Sequence, residues 1–271
     1  MPRKKSNWKF YAGLLIGFVA ALAVFFAGMG MNFASQIAVI RVSGTITSSP
    51  SFLEESVTPD SFRSLVEEAE NNPSIKAVLI QINSPGGSVV ASREMVSVVK
   101  GMKKPSICWL GDIAASGAYW LASSCDHIMA DPLSLTGSIG VTASYLSFSG
   151  LFDKYGIKYE QITSGESKDI GTPFRNMTEE ERKKMEYIVD ETYKYFITDI
   201  TDSRNLTPDQ IMQVENGDIF LGKDAVDLGL VDSLGSFSDA KDKAMQIAGI
   251  DNADFVVLQP KGLSILDLLS L

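Results

Sequence analysis

The chain has 271 residues but only one histidine, His127, and only two cysteines, Cys108 and Cys125. No cysteine or histidine spacing fits a metal site, so zinc and iron–sulfur chemistry are excluded at the outset and no metal is expected. A single histidine also leaves few ways to build a histidine-assisted nucleophile. There is no tandem repeat and no low-complexity tract. A basic face is lacking as well. The net charge is −9, although Arg3, Lys4, Lys5 and Lys9 sit in the first nine residues. The rest of the chain is therefore more acidic still, which argues against nucleic acid as the main partner.

Charge is missing altogether from residues 10 to 40. The stretch FYAGLLIGFVAALAVFFAGMGM, residues 10–31, can span roughly 30 Å of hydrocarbon as a helix. Four basic residues precede it, so the positive-inside rule keeps the N-terminus cytoplasmic. The expectation is a single-pass anchor in the cell (inner) membrane, in contact with lipid, with the body extracytoplasmic. A cleaved signal peptide, with small residues near Ala34 and Ser35, is the alternative. Outside the cytoplasm the two cysteines could pair. Each lies beside an apolar, strand-like run, where buried free cysteine is common. Free thiols are the favoured expectation.

Beyond the anchor, strands and helices alternate. QIAVIRVSGTI reads as a strand. TPDSFRSLVEEAENNP reads as a helix with Thr58 as N-cap and Pro59 at its first position. KAVLIQI, residues 76–82, is a buried strand that runs into NSPGGS. Ser88 can then cap the helix VVASREMVSVVKGMKK. PSICWLG is a strand, AASGAYWLASS a helix and DHIMAD a strand, and TGSIGV turns into further strand. A long helix covers residues 178–200, with Thr178 and Glu181 as a capping box. Near-continuous apolar strands alternating with helices predict an α/β fold with a mainly parallel sheet. The glycine-rich turns each follow a strand, where open α/β sheets place their ligands. The protease-sized unit is set at 36–250. Residues 1–9 form a cytoplasmic basic terminus, and 251–271 a final strand with an apolar tail.

Three stretches carry chemistry. NSPGGS, residues 83–88, is neither a P-loop nor a dinucleotide fingerprint. Its glycines at a helix start suit a plain turn or an oxyanion hole, where a donor is worth about 2.7–4 kcal/mol in the transition state. Ser116, in GDIAASGAYW, stands among small residues at a helix start, as a helix cap or a nucleophile would. Its base is the difficulty. His127 lies in an apolar strand, where a packed histidine is the ordinary reading. A lysine is the other option, and its deprotonation at neutral pH costs about 4–5 kcal/mol unless burial lowers its pKa. Lys100, Lys103 and Lys104 cluster at a helix end and are expected to be solvated and protonated. Lys183 and Lys184 fall on an exposed helix. Lys168, in TSGESKDIGTPFR, sits in a non-helical loop and is left by elimination, with a solvated loop lysine as the alternative.

NSPGGS, GDIAASGAYWLASSCDHIMADP, TGSIGV and SGESKDIGTPFRNMTEEER occur in an order and spacing that resemble the signal peptide peptidase A (SppA) family of membrane-bound serine proteases. The similarity covers roughly residues 38–245. It implies a Clp-protease/crotonase-like spiral of βα units. It implies Ser116 as nucleophile, Lys168 as general base and Ser138 as the hydroxyl that orients the lysine. Gly86, Gly87 and Gly117 match the oxyanion-hole region, and which of Gly86 and Gly87 donates stays open. No cofactor is implied. Peptides with apolar stretches, such as remnant signal peptides, are the implied substrates. A ring-shaped homo-oligomer is the implied assembly, so Lys168 could serve a neighbour's Ser116. Glu166 would oppose the lysine's role if it lay close, by favouring the ammonium. The rivals are a same-fold quality-control protease with another substrate and a catalytically silent assembly module.

Overall fold

The computed structural model describes residues 11, 13–18, 35–51 and 53–260. Residues 11 and 13–18 are helical. The rest of the expected anchor, and the apolar tail 261–271, lie outside the described residues. Among the described residues no helix is long and apolar enough to cross a membrane.

The core is one eight-stranded sheet in the order β10-β1-β4-β5-β6-β9, with β7 and β8 branching from β5. The strands are β1 (Gln36–Ser43), β4 (Ile75–Ser84), β5 (Ser106–Ala115), β6 (His127–Ala130), β7 (Leu135–Gly137), β8 (Ile219–Leu221), β9 (Ser233–Leu234) and β10 (Asp254–Leu258). A short second sheet pairs β2 (Thr45–Ile46) with β3 (Ser56–Val57). All pairings in the main sheet are parallel except β7 with β8. The final strand after residue 250 is thus built into the sheet edge beside β1. Parallel strands covered on both faces need apolar side chains on both, and the runs Ile37–Ile40 of β1 and Ala77–Ile80 of β4 are buried without interruption.

Helices α1 (Pro59–Asn71), α2 (Val89–Lys100) and α3 (Gly117–Ser123) cover one face of the sheet. Helix α1 starts where the sequence predicts. Thr58 accepts from Ser61 N–H, and Phe62, Leu65, Val66 and Ala69 are buried on one side. Helices α4 (Ser149–Tyr155), α5 (Glu179–Arg204), α6 (Pro208–Val214), α7 (Gly222–Asp227) and α8 (Phe237–Ala248) follow. Helix α8 covers the opposite face through Ala240 and Ala244. Helix α5 packs Phe196 and Ile200 into the core, and the Phe196 ring lies 4.7 Å from that of Trp120.

Three expectations need correcting. Ala114 and Ala115 end β5 rather than begin a helix, because both still pair in register with β7. After β7 the chain does not continue as strand: residues 138–148 are irregular. Cys108 and Cys125 are joined in a disulfide, not free. Both are buried as expected. After Ser116, however, the chain turns back over β5 and brings the two Cα atoms to 5.9 Å, within disulfide reach.

Candidate active site

Ser116 occupies the single residue between the end of β5 and the start of α3. Its backbone is φ 55°, ψ −126°. A non-glycine residue there costs on the order of 1–3 kcal/mol and persists only where its surroundings impose it. The Ser116 N–H is tied to Gly137 O at 2.9 Å, and Trp120 N–H bonds to Ser116 O at 2.9 Å. The strand–sharp turn–helix arrangement lifts the side chain off the sheet edge, as a nucleophile elbow does. Its hydroxyl makes no capping bond to α3, which removes the helix-cap reading.

Ser138 follows β7 as Ser116 follows β5, and the strand ends pair Ala115 with Gly137. The two serines therefore follow adjacent, paired strand ends, and both line the same cavity. Ser138 also has a positive φ of 51°, and its N–H donates to Asp218 O at 2.7 Å.

The NSPGG turn lies directly against this elbow. A Cβ on Gly86 would stand 2.7 Å from Gly117 N and 2.8 Å from Ala115 O, and its φ is +92°. Only glycine permits that approach. The Gly86 N–H is occupied by Ser84 Oγ at 3.1 Å. Gly87 differs. Ile46 N–H bonds to Gly86 O, and Ser88 N–H bonds to Ile46 O. In such a parallel bridge the middle residue, Gly87, points its own N–H the other way. The Gly87 nitrogen lies 3.6 Å from where a Gly117 Cβ would stand. Neither Gly87 N–H nor Gly117 N–H has a partner among the described residues. Both stand free at the elbow, the second at the start of a helix.

These groups open on a cavity of about 690 Å³, lined by Gly87, Ser116, Gly117 and Ser138. Val89, Trp120, Ile139, Val141, Val189 and Phe196 give it apolar walls. Its titratable carboxylates are Asp190 and Glu215, and its lining holds no lysine, arginine or histidine. A solvated carboxylate is too weak a base to activate a serine at neutral pH. Among the described residues, the cavity wall brings Ser116, Ser138 and the N–H donors together and holds no lysine or histidine beside them.

His127 is far from this cavity. It pairs with Ile107 at the opening end of β5 and β6, and Ser116 is nine residues further along, about 30 Å by strand rise. Its Nε2 lies 2.8 Å from Ser233 Oγ. Burial holds the imidazole below its usual pKa, opposed by Asp232.

Lys168 lies in an exposed turn and is absent from the cavity wall. No ion pair joins it to Glu166 within the described residues. The turn belongs to a segment, residues 142–180, in which no residue is buried. Leu146, Leu151, Tyr155, Ile157 and Ile162 are all at least half exposed there. Lys100 and Lys104 have partners elsewhere. Lys100 pairs with Asp199 at 2.5 Å. Lys104 is not solvated as expected: its Nζ donates to Ala69 O and Asn72 O at 2.5 and 2.6 Å, and burial lowers its pKa. It terminates α1.

The elbow serine, paired backbone donors and apolar cleft on a parallel sheet define the class: an α/β serine hydrolase. The profile of peptidase family S49 matches residues 99–251, and the chain belongs to that family and carries its serine-peptidase domain. A protein of Methanocaldococcus jannaschii, MJ0651, inferred to be a protease, is 38% identical over 194 residues, 71% of this chain and 62% of that protein. Protease 4 of Haemophilus influenzae is 33% identical over 219 residues, 80% of this chain and 35% of its own length. A signal peptide peptidase SppA of Enterococcus faecium, so named by inference, is 32% identical over 213 residues, 76% of this chain and 62% of that protein. The chain thus spans less than two thirds of each. Among solved structures, a serine mutant of the 1510-N membrane-bound stomatin-specific protease has a TM-score of 0.56 at 15% identity, covering 84% of this chain and 99% of that one. A lysine mutant of the same protease, in complex with a substrate peptide, gives 0.54 at 18% identity, covering 88% and 96%. At that identity the likeness is one of fold.

Proposed function

We propose that the protein is a membrane-anchored endopeptidase that cuts apolar peptides, remnant signal peptides among them, with a Ser116–Lys168 dyad. One observation carries this reading: an activated-type serine faces a cleft whose walls hold free N–H donors but no base. Neutral Lys168 takes the Ser116 proton as Oγ attacks the peptide carbonyl. Ser138 accepts from or donates to the amine and fixes its direction. The N–H groups of Gly87 and Gly117 hold the oxyanion, and Gly86 shapes the turn that aims them. The lysine ammonium then protonates the leaving amine, and water deacylates Ser116. No cofactor enters the cycle.

Lys168 comes from a neighbouring copy in a ring. Its turn lies off its own cavity wall, and its segment leaves Leu146, Leu151, Tyr155, Ile157 and Ile162 at least half exposed, as a surface that meets a partner would. The protease unit of residues 36–250 is read as a Clp-protease/crotonase-type spiral, a reading supported by the run of adjacent parallel strands β1, β4, β5 and β6. The anchor at 10–31 holds it extracytoplasmically at the membrane surface, where a disulfide is at home.

The test is cleavage of an apolar signal-peptide substrate between about pH 6 and 10, where a lysine base with a lowered pKa would titrate. Wild type, Ser116→Ala, Lys168→Ala and His127→Ala are compared in the full chain. The reading requires the first two variants to be dead and the third active. Activity in Lys168→Ala, with loss in His127→Ala, would overturn it.

A further inference from the structure

A lysine base must sit within hydrogen-bond reach of its serine at the moment of reaction. Lys168 is on an exposed turn, and its long side chain has about 2 kcal/mol of rotamer freedom to lose. Something must fix the turn. The residues on either side of Lys168 are both held. Ser167 Oγ accepts from Lys184 Nζ at 2.6 Å. Asp169 accepts twice from Arg175, from Nε at 2.9 Å and Nη2 at 2.7 Å.

Arg175 does not stop there. Its Nη1 and Nη2 donate to Glu181 at 2.8 and 2.6 Å. Glu181 is 4% exposed and accepts the Thr178 N–H at 2.9 Å, closing the N-terminal box of α5. One guanidinium therefore joins the lysine's turn to the first turn of a 26-residue helix. That same helix lines the Ser116 cavity with Val189, Thr192, Tyr193 and Phe196. All four oxygens of the two carboxylates accept from Arg175, and Glu181 Oε2 accepts the Thr178 N–H as well.

We propose that Arg175, bridging Asp169 and Glu181, is the positioning residue for Lys168. It fixes the turn on α5 so that the amine is presented at a set height relative to the cleft. The inference rests on the dyad reading above but holds whether Lys168 acts within its own chain or in a neighbour. Planar, two-sided bridging needs a guanidinium. A lysine at 175 keeps the charge and loses the fork.

The experiment measures kcat, KM and the pH–rate profile of the full-length protein on an apolar fluorogenic peptide. The variants are Arg175→Gln, Arg175→Lys and Asp169→Asn, with thermal melting to score folding. Misplacing a catalytic group by about 1 Å costs on the order of a hundredfold. Arg175→Gln is therefore expected to lose about ten- to a hundredfold in kcat with KM within about twofold, and the pKa of the rising, low-pH limb, which reports deprotonation of the lysine, should move. Arg175→Lys should recover little. Asp169→Asn leaves α5's box intact and should fall between them. If Arg175→Gln fails to fold, Asp169→Asn decides alone. Wild-type kcat and pH profile in a folded variant, or losses that track only the folded fraction, would overturn the inference. An active Lys168→Ala is a different failure: it would refute the dyad, not the clamp.

Discussion

The two ends of the proposed dyad are built by opposite means. Ser116 is held by the sheet. Its strand and its following helix are largely buried, Gly86 of the NSPGG turn packs against them, and a strained backbone is enforced by bonds on both sides. Lys168 rides on a segment with no buried residue between 142 and 180, and its turn is secured by charge rather than by core. A rigid nucleophile and oxyanion hole require preorganisation, which close packing supplies. A base carried to a neighbouring subunit cannot be packed in its own core. It needs a local clamp and an apolar surface that finds its partner. The contrast is what a site divided between copies would look like in one copy.

The largest effect would come from breaking either end. Ser116→Ala and Lys168→Ala should each lose about 10³-fold or more in kcat. Mixing the two dead variants as subunits sharpens the contrast. If the lysine acts across an interface, a random one-to-one mixture restores about a quarter of the sites, since each site draws serine and lysine from different copies. Mixtures that stay dead under reassembly would return Lys168 to its own chain.

Next in size is the packing of the nucleophile end. A Cβ on Gly117 would stand 2.2 Å from Ser92 Oγ and 2.9 Å from Ser92 Cβ. Ser92 is fully buried in α2 and its hydroxyl is bonded to Ser88 O, so it cannot swing away freely. Gly117→Ala should push α3 from α2 and move the 117 N–H. We expect kcat to fall about a hundredfold, the loss seen when one oxyanion donor is misplaced, with about 1–3 kcal/mol of stability lost to overpacking. A steady-state assay beside a urea melt separates the two.

The sheet and its first helices were legible from the chain because their signals are local. Thr58–Pro59, the apolar run 76–82 and the Thr178–Glu181 box each announce an element by themselves. The Ser116 elbow was half legible. Small neighbours marked it, but Ala114 and Ala115 look helical, and only pairing with β7 holds them as strand. The division of labour between Gly86 and Gly87 was invisible, because it depends on where β2 crosses the turn. The disulfide was open as an alternative but not favoured, because the proximity of the two cysteines arises from a chain reversal over β5. Lys104 was misjudged for the same reason: its sequence neighbours are charged, yet its partners are carbonyls of α1, more than thirty residues earlier.

The disulfide bears on how firmly the nucleophile end is held. Cys108–Cys125 closes a loop of 17-residue separation that contains Ser116. Closing a loop of that size stabilises a fold by about 3 kcal/mol in the chain-entropy account. The Cys108→Ser/Cys125→Ser double variant, or reduction with a dithiol, should lower the melting free energy by about 2–4 kcal/mol. kcat at low temperature should change little, because the elbow's own bonds remain. An equal loss of kcat in fully folded protein would mean the bridge also shapes the elbow.

The smallest effect belongs to His127, the lone histidine that the sequence already reads as a packed side chain. It stands at the far end of β5, and His127→Gln should leave kcat within about twofold, as expected for a side chain that touches no reacting group. Its effect should appear in stability instead. Burial lowers its folded pKa despite Asp232, while Lys243 and Arg204 on neighbouring elements push the same way as burial. A histidine held neutral in the fold binds its proton more readily when unfolded. Its contribution is therefore complete above the unfolded value of about 6.5 and is lost as pH falls through the window below it. Wild type should lose stability on acidification through that window, and His127→Gln should lose less. Parallel slopes of the two proteins, measured by chemical denaturation at closely spaced pH, would show that the imidazole stays neutral for no energetic reason. A matching fall in kcat would place it nearer the chemistry than β5 allows.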